Sequence, residues 1–164
     1  MRDVFMLDCR GDSITYVQRN GFLLDLEIKP TPGAEAATGV AVARACVEMW
    51  RGGVTAPPLL SSVRPEALQG AREAAPELPR ALLADTLWPG WFEMARALDC
   101  LAVITHHQLM DAGVIGQLHD AGMRALCYTV NEPPEARRLL ALGIDGIITD
   151  AVDRFSPDAT RVFD

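Results

Sequence analysis

Histidine and paired cysteine are both scarce in this sequence, and each shortage removes a class of function. His106, His107 and His119 are the only histidines. Cys9, Cys46, Cys100 and Cys127 stand far apart, with no Cys-x-x-Cys pair. That spacing does not suit a zinc site, and a chain this long does not depend on a disulfide framework. Cys46, Cys100 and Cys127 lie in apolar surroundings and read as small core residues. No apolar run approaches ~18 residues, so no membrane span is expected. No apolar segment follows Met1 in the manner of a signal peptide, which makes the cytoplasm the expected compartment. Basic residues are also outnumbered: 15 Lys and Arg face 22 Asp and Glu, for a net charge of −7. A general nucleic-acid binder needs the opposite balance. A small anionic substrate held by one or two local cations does not. No Gly-x-Gly-x-x-Gly follows the first expected strand, so a dinucleotide fold has no support. No Gly-x-Ser-x-Gly elbow surrounds Ser61-Ser62, which read as strand-end serines rather than a nucleophile.

What is present is enough apolar sequence for one domain with its own core: 49% of the 164 residues are hydrophobic. A helix is expected over residues 7–20, stopped by Asn20-Gly21. A strand over residues 22–28 follows. A long helix then begins near Thr38 or Gly39 and runs to Trp50, ended by Gly52-Gly53. Further strands are expected over residues 59–62, 80–84, 101–105, 124–130 and 146–150. Helices over residues 65–75, 88–98, 111–121 and 135–142 separate them, and the tail has room for one more short helix. Pro65 suits the first turn of its helix. Trp50, Trp88 and Trp91 fall at helical positions and read as packing. From residue 59 the strands recur every ~21 to 23 residues, and strand–helix–strand alternation implies a parallel sheet with right-handed crossovers. An open doubly wound sheet and a barrel both fit. The polar residues collect at strand carboxyl ends, which is where a barrel builds its site. A complete barrel needs eight strands and typically ~250 residues, more than this chain offers.

One strand end carries the most chemistry. In Leu24-Asp25-Leu26-Glu27-Ile28-Lys29-Pro30, side chains two apart share a face. Glu27 and Lys29 therefore sit side by side, and Pro30 stops the strand. A carboxylate and an ammonium so placed suit a site for a divalent cation and an anionic ester. They equally suit an ion pair on a half-exposed strand.

Four segments in order settle which family the sequence resembles: Leu26-Glu27-Ile28-Lys29-Pro30, Leu60-Ser61-Ser62, Tyr128-Thr129-Val130-Asn131 and Gly143-Ile144-Asp145-Gly146-Ile147-Ile148-Thr149-Asp150. Together they resemble the C-terminal two-thirds of the glycerophosphodiester phosphodiesterase family, bacterial cytosolic type. The likeness implies an α/β fold, a partial TIM (β/α)8 barrel of about six βα units corresponding to strands 3 to 8. It also implies a single truncated domain over residues 1–164. Family members use a divalent cation, Mg2+ or Ca2+, to hydrolyse glycerophosphodiesters to an alcohol and glycerol 3-phosphate. By this resemblance Glu27 is the metal-binding glutamate and Lys29 the lysine that helps hold the phosphate. His107 aligns with a rim position near the substrate, and Tyr128 with the wall of the glycerol pocket.

The family's His-Arg-Gly, Glu-x-Asp and His-Asp motifs have no counterpart in this sequence. They supply both catalytic histidines, so no catalytic residue is assigned and low activity is expected of this chain alone. A misassigned start at Met1 is the favoured explanation. The alternative is a non-catalytic barrel fragment that acts by self-association, as a homo-oligomer, or by pairing with another chain through open barrel edges. Asp150 reads as an N-cap, and one of His106 and His107 should face the rim.

Overall fold

A computed structural model describes residues 4–6, 11–51 and 56–155. Its strands are β1 (Val4–Met6), β2 (Leu23–Glu27), β3 (Leu59–Ser62), β4 (Arg80–Ala84), β5 (Ala102–His106), β6 (Arg124–Tyr128) and β7 (Gly146–Ile147). The helices between them are α1 (Gly11–Asn20), α2 (Glu35–Met49), α3 (Pro65–Ala74), α4 (Trp91–Ala97), α5 (Ala112–Asp120) and α6 (Pro133–Ala141). All neighbouring strands pair in parallel, in sequence order. Six βα units thus build a curled half-barrel, the partial barrel expected from the sequence.

The differences are local. β1 was not anticipated: three residues are too short to show a period of two. The expected helix over residues 7–20 is α1, and its first four residues lie outside those described. α2 starts at Glu35, ahead of Thr38, because Gly33 turns the chain at φ 83° and donates its N–H to the Glu35 carboxylate. α4 starts at Trp91, not Trp88, because Gly90 sits in the left-handed region at φ 92°. A left-handed residue cannot lie inside a right-handed helix. β7 is far shorter than residues 146–150. Most of the expected tail helix lies outside the described residues.

The cap glycines behave as expected. Gly21, Gly122 and Gly143 all take positive φ directly after helices, the conformation that closes a helix without steric cost. β2 to β5 bury most of both faces, as a helix-covered parallel sheet requires, and all five residues of β4 are buried. One face packs on the helices. Leu82 and Val103 meet Leu68 and Leu118 there, and Leu24, Leu26 and Leu60 meet Ala43, Cys46 and Ala71. Each fully buried leucine contributes about 1.5–3 kcal/mol. Cys46, Cys100 and Cys127 are buried, and all three tryptophans pack against these clusters. The other face lines the inside of the curl with Ala81, Leu83, Ala102 and Ile104.

Candidate active site

The period of two carries the inner face of each strand from an apolar floor to a polar rim. On β4 the inner positions run Ala81, Leu83, then Asp85 just beyond the strand. On β5 they run Ala102, Ile104, His106, and on β6 Leu126, Tyr128. At the carboxyl ends these positions open a cleft of about 380 Å³, within the range that small ligands occupy. Its lining includes Asp25, Glu27, Leu83, Asp85, Tyr128 and Asp150. A larger groove of about 820 Å³ lies between α4 and α5, on the outer side of the helices. Its polar lining, Arg96, Gln117 and Asp120, comes from the helices rather than from the strand ends.

Glu27 and Lys29 meet as their spacing predicts. Lys29 Nζ stands 3.2 Å from Glu27 Oε2. Lys29 is the only lysine of the chain. Its side chain is 74% exposed and that of Glu27 only 15%. An exposed pair of this kind adds little stability. The ammonium is therefore free to turn toward an incoming anion, while the carboxylate stays anchored in the cleft.

Beneath them lies a residue that the sequence reading passed over. Asp25 shares the face of Glu27 and is buried. Among the described residues its Oδ1 has no hydrogen-bond partner, and neither has the buried Ser61 Oγ. Burial pushes the Asp25 carboxyl up to about 6; the Ser61 hydroxyl beside it works against the shift, and the Glu27 charge adds to it. Ser62, facing the other way, is satisfied by donating to the Ile28 carbonyl.

Tyr128 lines the cleft and donates its hydroxyl to Asp85 at 2.6 Å. Burial first, then that bond and the Asp85 charge, hold the phenol above its ordinary range. The phenolic oxygen keeps its acceptor capacity, since its proton is committed. The two adjacent histidines take different partners, and neither is among the residues that line the cleft itself. His106 stands opposite Tyr128 in the sheet, with the rings edge to face at 6.1 Å. Its Nδ1 accepts the Gln108 N–H, which leaves Nε2 as the protonated nitrogen. His107 is drawn off to α6, its Nδ1 2.6 Å from Glu135 Oε1, and does not line the cleft.

Glu135 also binds Arg138, whose guanidinium donates to the carbonyls of His107 and Met110. Arg138 foremost, and His107 after it, outweigh desolvation and hold the Glu135 carboxyl down at about 2. A carboxyl with a depressed folded-state pKa favours folding above its ordinary value, and loses that contribution as pH falls through the folded value. Stability should therefore decline between pH 4.5 and about 2. Asp145 contributes with the same sign: burial opposes its ionisation, but the Ala125 N–H, Arg124 and His119 outweigh it. Urea midpoints measured across that window should slope less steeply in Glu135→Gln than in the natural protein. Equal slopes would refute the assignment.

A divalent cation fits the donor chemistry of the cleft only in part. Glu27 and Asp25 offer the hard oxygens that Mg2+ or Ca2+ prefers, and Asp25 has an oxygen to spare. Among the described residues, however, no three His, Cys, Asp or Glu side chains converge as a metal set.

A family model and several solved structures point to the same family. A sequence model described as the glycerophosphoryl diester phosphodiesterase family matches residues 11–154. A phosphodiesterase from Oleispira antarctica, solved with its product sn-glycerol-3-phosphate, is similar at 28% identity and TM-score 0.74, covering 85% of this chain and 56% of that one. Glycerophosphodiester phosphodiesterases from Parabacteroides distasonis and Thermotoga maritima share the fold. The first does so at 17% identity and TM-score 0.66, covering 84% of this chain and 57% of its own. The second does so at 19% and 0.59, covering 80% and 55%. The chain thus spans little more than half the length of these relatives. No protein with a curated description matches the sequence significantly. No described helix is long and apolar enough to cross a membrane.

Proposed function

This chain belongs to the glycerophosphoryl diester phosphodiesterase family, and we propose that its cleft is the cation-and-phosphate part of a site that hydrolyses glycerophosphodiesters to an alcohol and glycerol 3-phosphate. The observation that carries the reading is the Glu27–Lys29 pair, anchored carboxylate beside exposed ammonium, at a cleft built by the strand ends. Glu27 would hold a divalent cation, Mg2+ or Ca2+. When bound, that cation neutralises charge on the phosphoryl oxygens. Lys29 binds the phosphate as a point charge. Tyr128, its proton given to Asp85, accepts a hydrogen bond from a glycerol hydroxyl. His107, held by Glu135, remains the rim residue proposed from the resemblance, and His106, whose ring stands beside Tyr128, is a second candidate for that contact.

Proton transfer to the leaving alkoxide needs a positioned acid, worth ~10²–10⁴-fold. The family's histidines for that role match no position in this sequence. Turnover of glycerophosphocholine by this chain alone should therefore be weak. Binding tests the reading more directly. In calorimetry with Ca2+ present, sn-glycerol 3-phosphate should bind the natural chain, and Glu27→Gln and Lys29→Met should each weaken it at least ~10-fold, the cost of removing one charged contact. Lack of binding by the natural chain would refute the reading, and vigorous turnover that Glu27→Gln abolishes would refute the expectation of weakness.

A second reading rests on the ends of the sheet. Among the described residues β1 and β7 each pair on one side only, and an unpaired parallel edge is a template for another chain. A second copy docking there would give a dimer at micromolar concentration. Sedimentation as a monomer, with a cooperative melt, would dispose of it.

A further inference from the structure

We propose that Asp25 is a second oxygen donor to the cation held at Glu27, with the Ser61 hydroxyl beside it. The inference rests on the cation reading of Glu27 and extends it to residues that the reading does not use. Asp25 is 3% exposed and Ser61 is 0% exposed. Asp25 Oδ1 and Ser61 Oγ are the buried side-chain atoms without a partner among the described residues. Both belong to the inner face: Asp25 lines the cleft, and Ser61 stands directly opposite Glu27 in the sheet.

Among the described residues the other buried polar side-chain atoms have partners. Asp145, also largely buried, accepts from His119, Arg124 and the Ala125 N–H. Ser62, one residue from Ser61 and equally buried, donates to Ile28. The two unsatisfied groups are thus adjacent to each other and to Glu27, on one side of the sheet. Buried polar atoms are rarely left unpaired, and a buried carboxylate is kept charged by an ion or a hydrogen-bond donor. No cationic side chain reaches Asp25 among the described contacts. A hard cation meets the need, because it accepts carboxylate and hydroxyl oxygens together. Same-face residues two apart on a strand lie ~6.6 Å from each other. A short Asp and a longer Glu can converge on one ion across that gap.

The test uses the full chain, with Ca2+ alone and Mg2+ alone as probes, followed by calorimetry and by the shift of the melting temperature. Asp25→Asn keeps the shape and removes a buried charge, so without metal it should melt at or above the natural temperature. Its Ca2+ affinity should fall at least ~10-fold, the scale on which groups around a metal site act. In the natural chain the Asp25 carboxyl ¹³C resonance should move on saturation with Ca2+, a readout that needs no variant. Natural affinity in Asp25→Asn, or an unmoved resonance at saturation, overturns the proposal. If Glu27→Gln loses the ion while Asp25→Asn keeps it, the cation reading stands and this inference alone falls. If the natural chain binds neither ion, both fall.

Discussion

Gly39→Ala should lower the thermal midpoint by roughly 5–10 °C, the shift that a loss of about 2–3 kcal/mol produces in a chain of this size. The sign is unusual, because alanine is the better helix former by about 1 kcal/mol. Packing reverses it. Gly39 is buried on the face of α2 that crosses α3. A Cβ there would overlap the Ala67 carbonyl oxygen and lie 2.8 Å from its carbon and 3.0 Å from the Ala71 nitrogen. The contact is reciprocal, since a Cβ at Gly70 would overlap the Ala36 carbonyl oxygen and lie 2.9 Å from its carbon. These neighbours are backbone atoms and cannot rotate away, so the helices must separate. Overpacking of this kind costs about 1–3 kcal/mol and more where nothing yields. Gly116 supplies the control. It lies in α5 with open space around its would-be Cβ, so Gly116→Ala should stabilise by about 0.5–1 kcal/mol. Calorimetric melts of the two variants should move in opposite directions. A Gly39→Ala protein as stable as the natural one would mean that the helix crossing is looser than described.

The sequence made the repeating unit legible because its signals are local. Alternation marked β2, short apolar runs at a regular interval marked β3 through β6, Pro65 marked the start of α3, and Gly21, Gly122 and Gly143 marked helix ends through the one conformation glycine adopts freely. What escaped depends on neighbours distant in the chain. β1 exists only by pairing with β2, and three residues carry no period. Which of His106 and His107 faces inward depends on whether β5 ends at residue 105 or 106, and strand ends are set by the partner strand. His106 pairs with Tyr128, so it is the last strand residue and keeps the inner face.

Asp25 was legible in part. The same alternation that joins Glu27 to Lys29 puts Asp25 on their face. Its burial is not local information: it comes from Leu59 and Ser61 on β3, more than thirty positions away. The tight crossing of α2 on α3 is also a tertiary fact. Gly39 in isolation reads only as a weak point of a helix.

Arg80→Met should cost about 3–5 kcal/mol of unfolding free energy, read as a lower urea midpoint at unchanged slope. Arg80 opens β4 and is only 4% exposed. Burial lowers its pKa, with Cys100 and Asp99 opposing the shift, yet a guanidinium stays charged under all ordinary conditions. Its donors serve four carbonyls: Leu98 and Pro76 at 3.1 Å, Leu78 at 2.6 Å and Asp99 at 3.4 Å. These carbonyls belong to the chain entering β4 and the chain entering β5, so one side chain ties two loops at the amino-terminal end of the sheet. Replacing a buried charge by an apolar residue is often harmless when both partners go together. Here the partners are backbone and remain. Methionine would fill the space of the stem and leave the carbonyls without donors, at about 1–3 kcal/mol for each that water does not reach. Lysine, with a compact ammonium in place of a planar fork, should recover only part of the loss. The amino-terminal end of a barrel serves stability, while the site is built at the other. Arg80→Met should accordingly leave Ca2+ affinity at the cleft unchanged below its melting temperature. A loss under ~1 kcal/mol would show that water, rather than Arg80, satisfies these carbonyls. A matching loss of Ca2+ affinity would show that the two ends of the sheet are coupled.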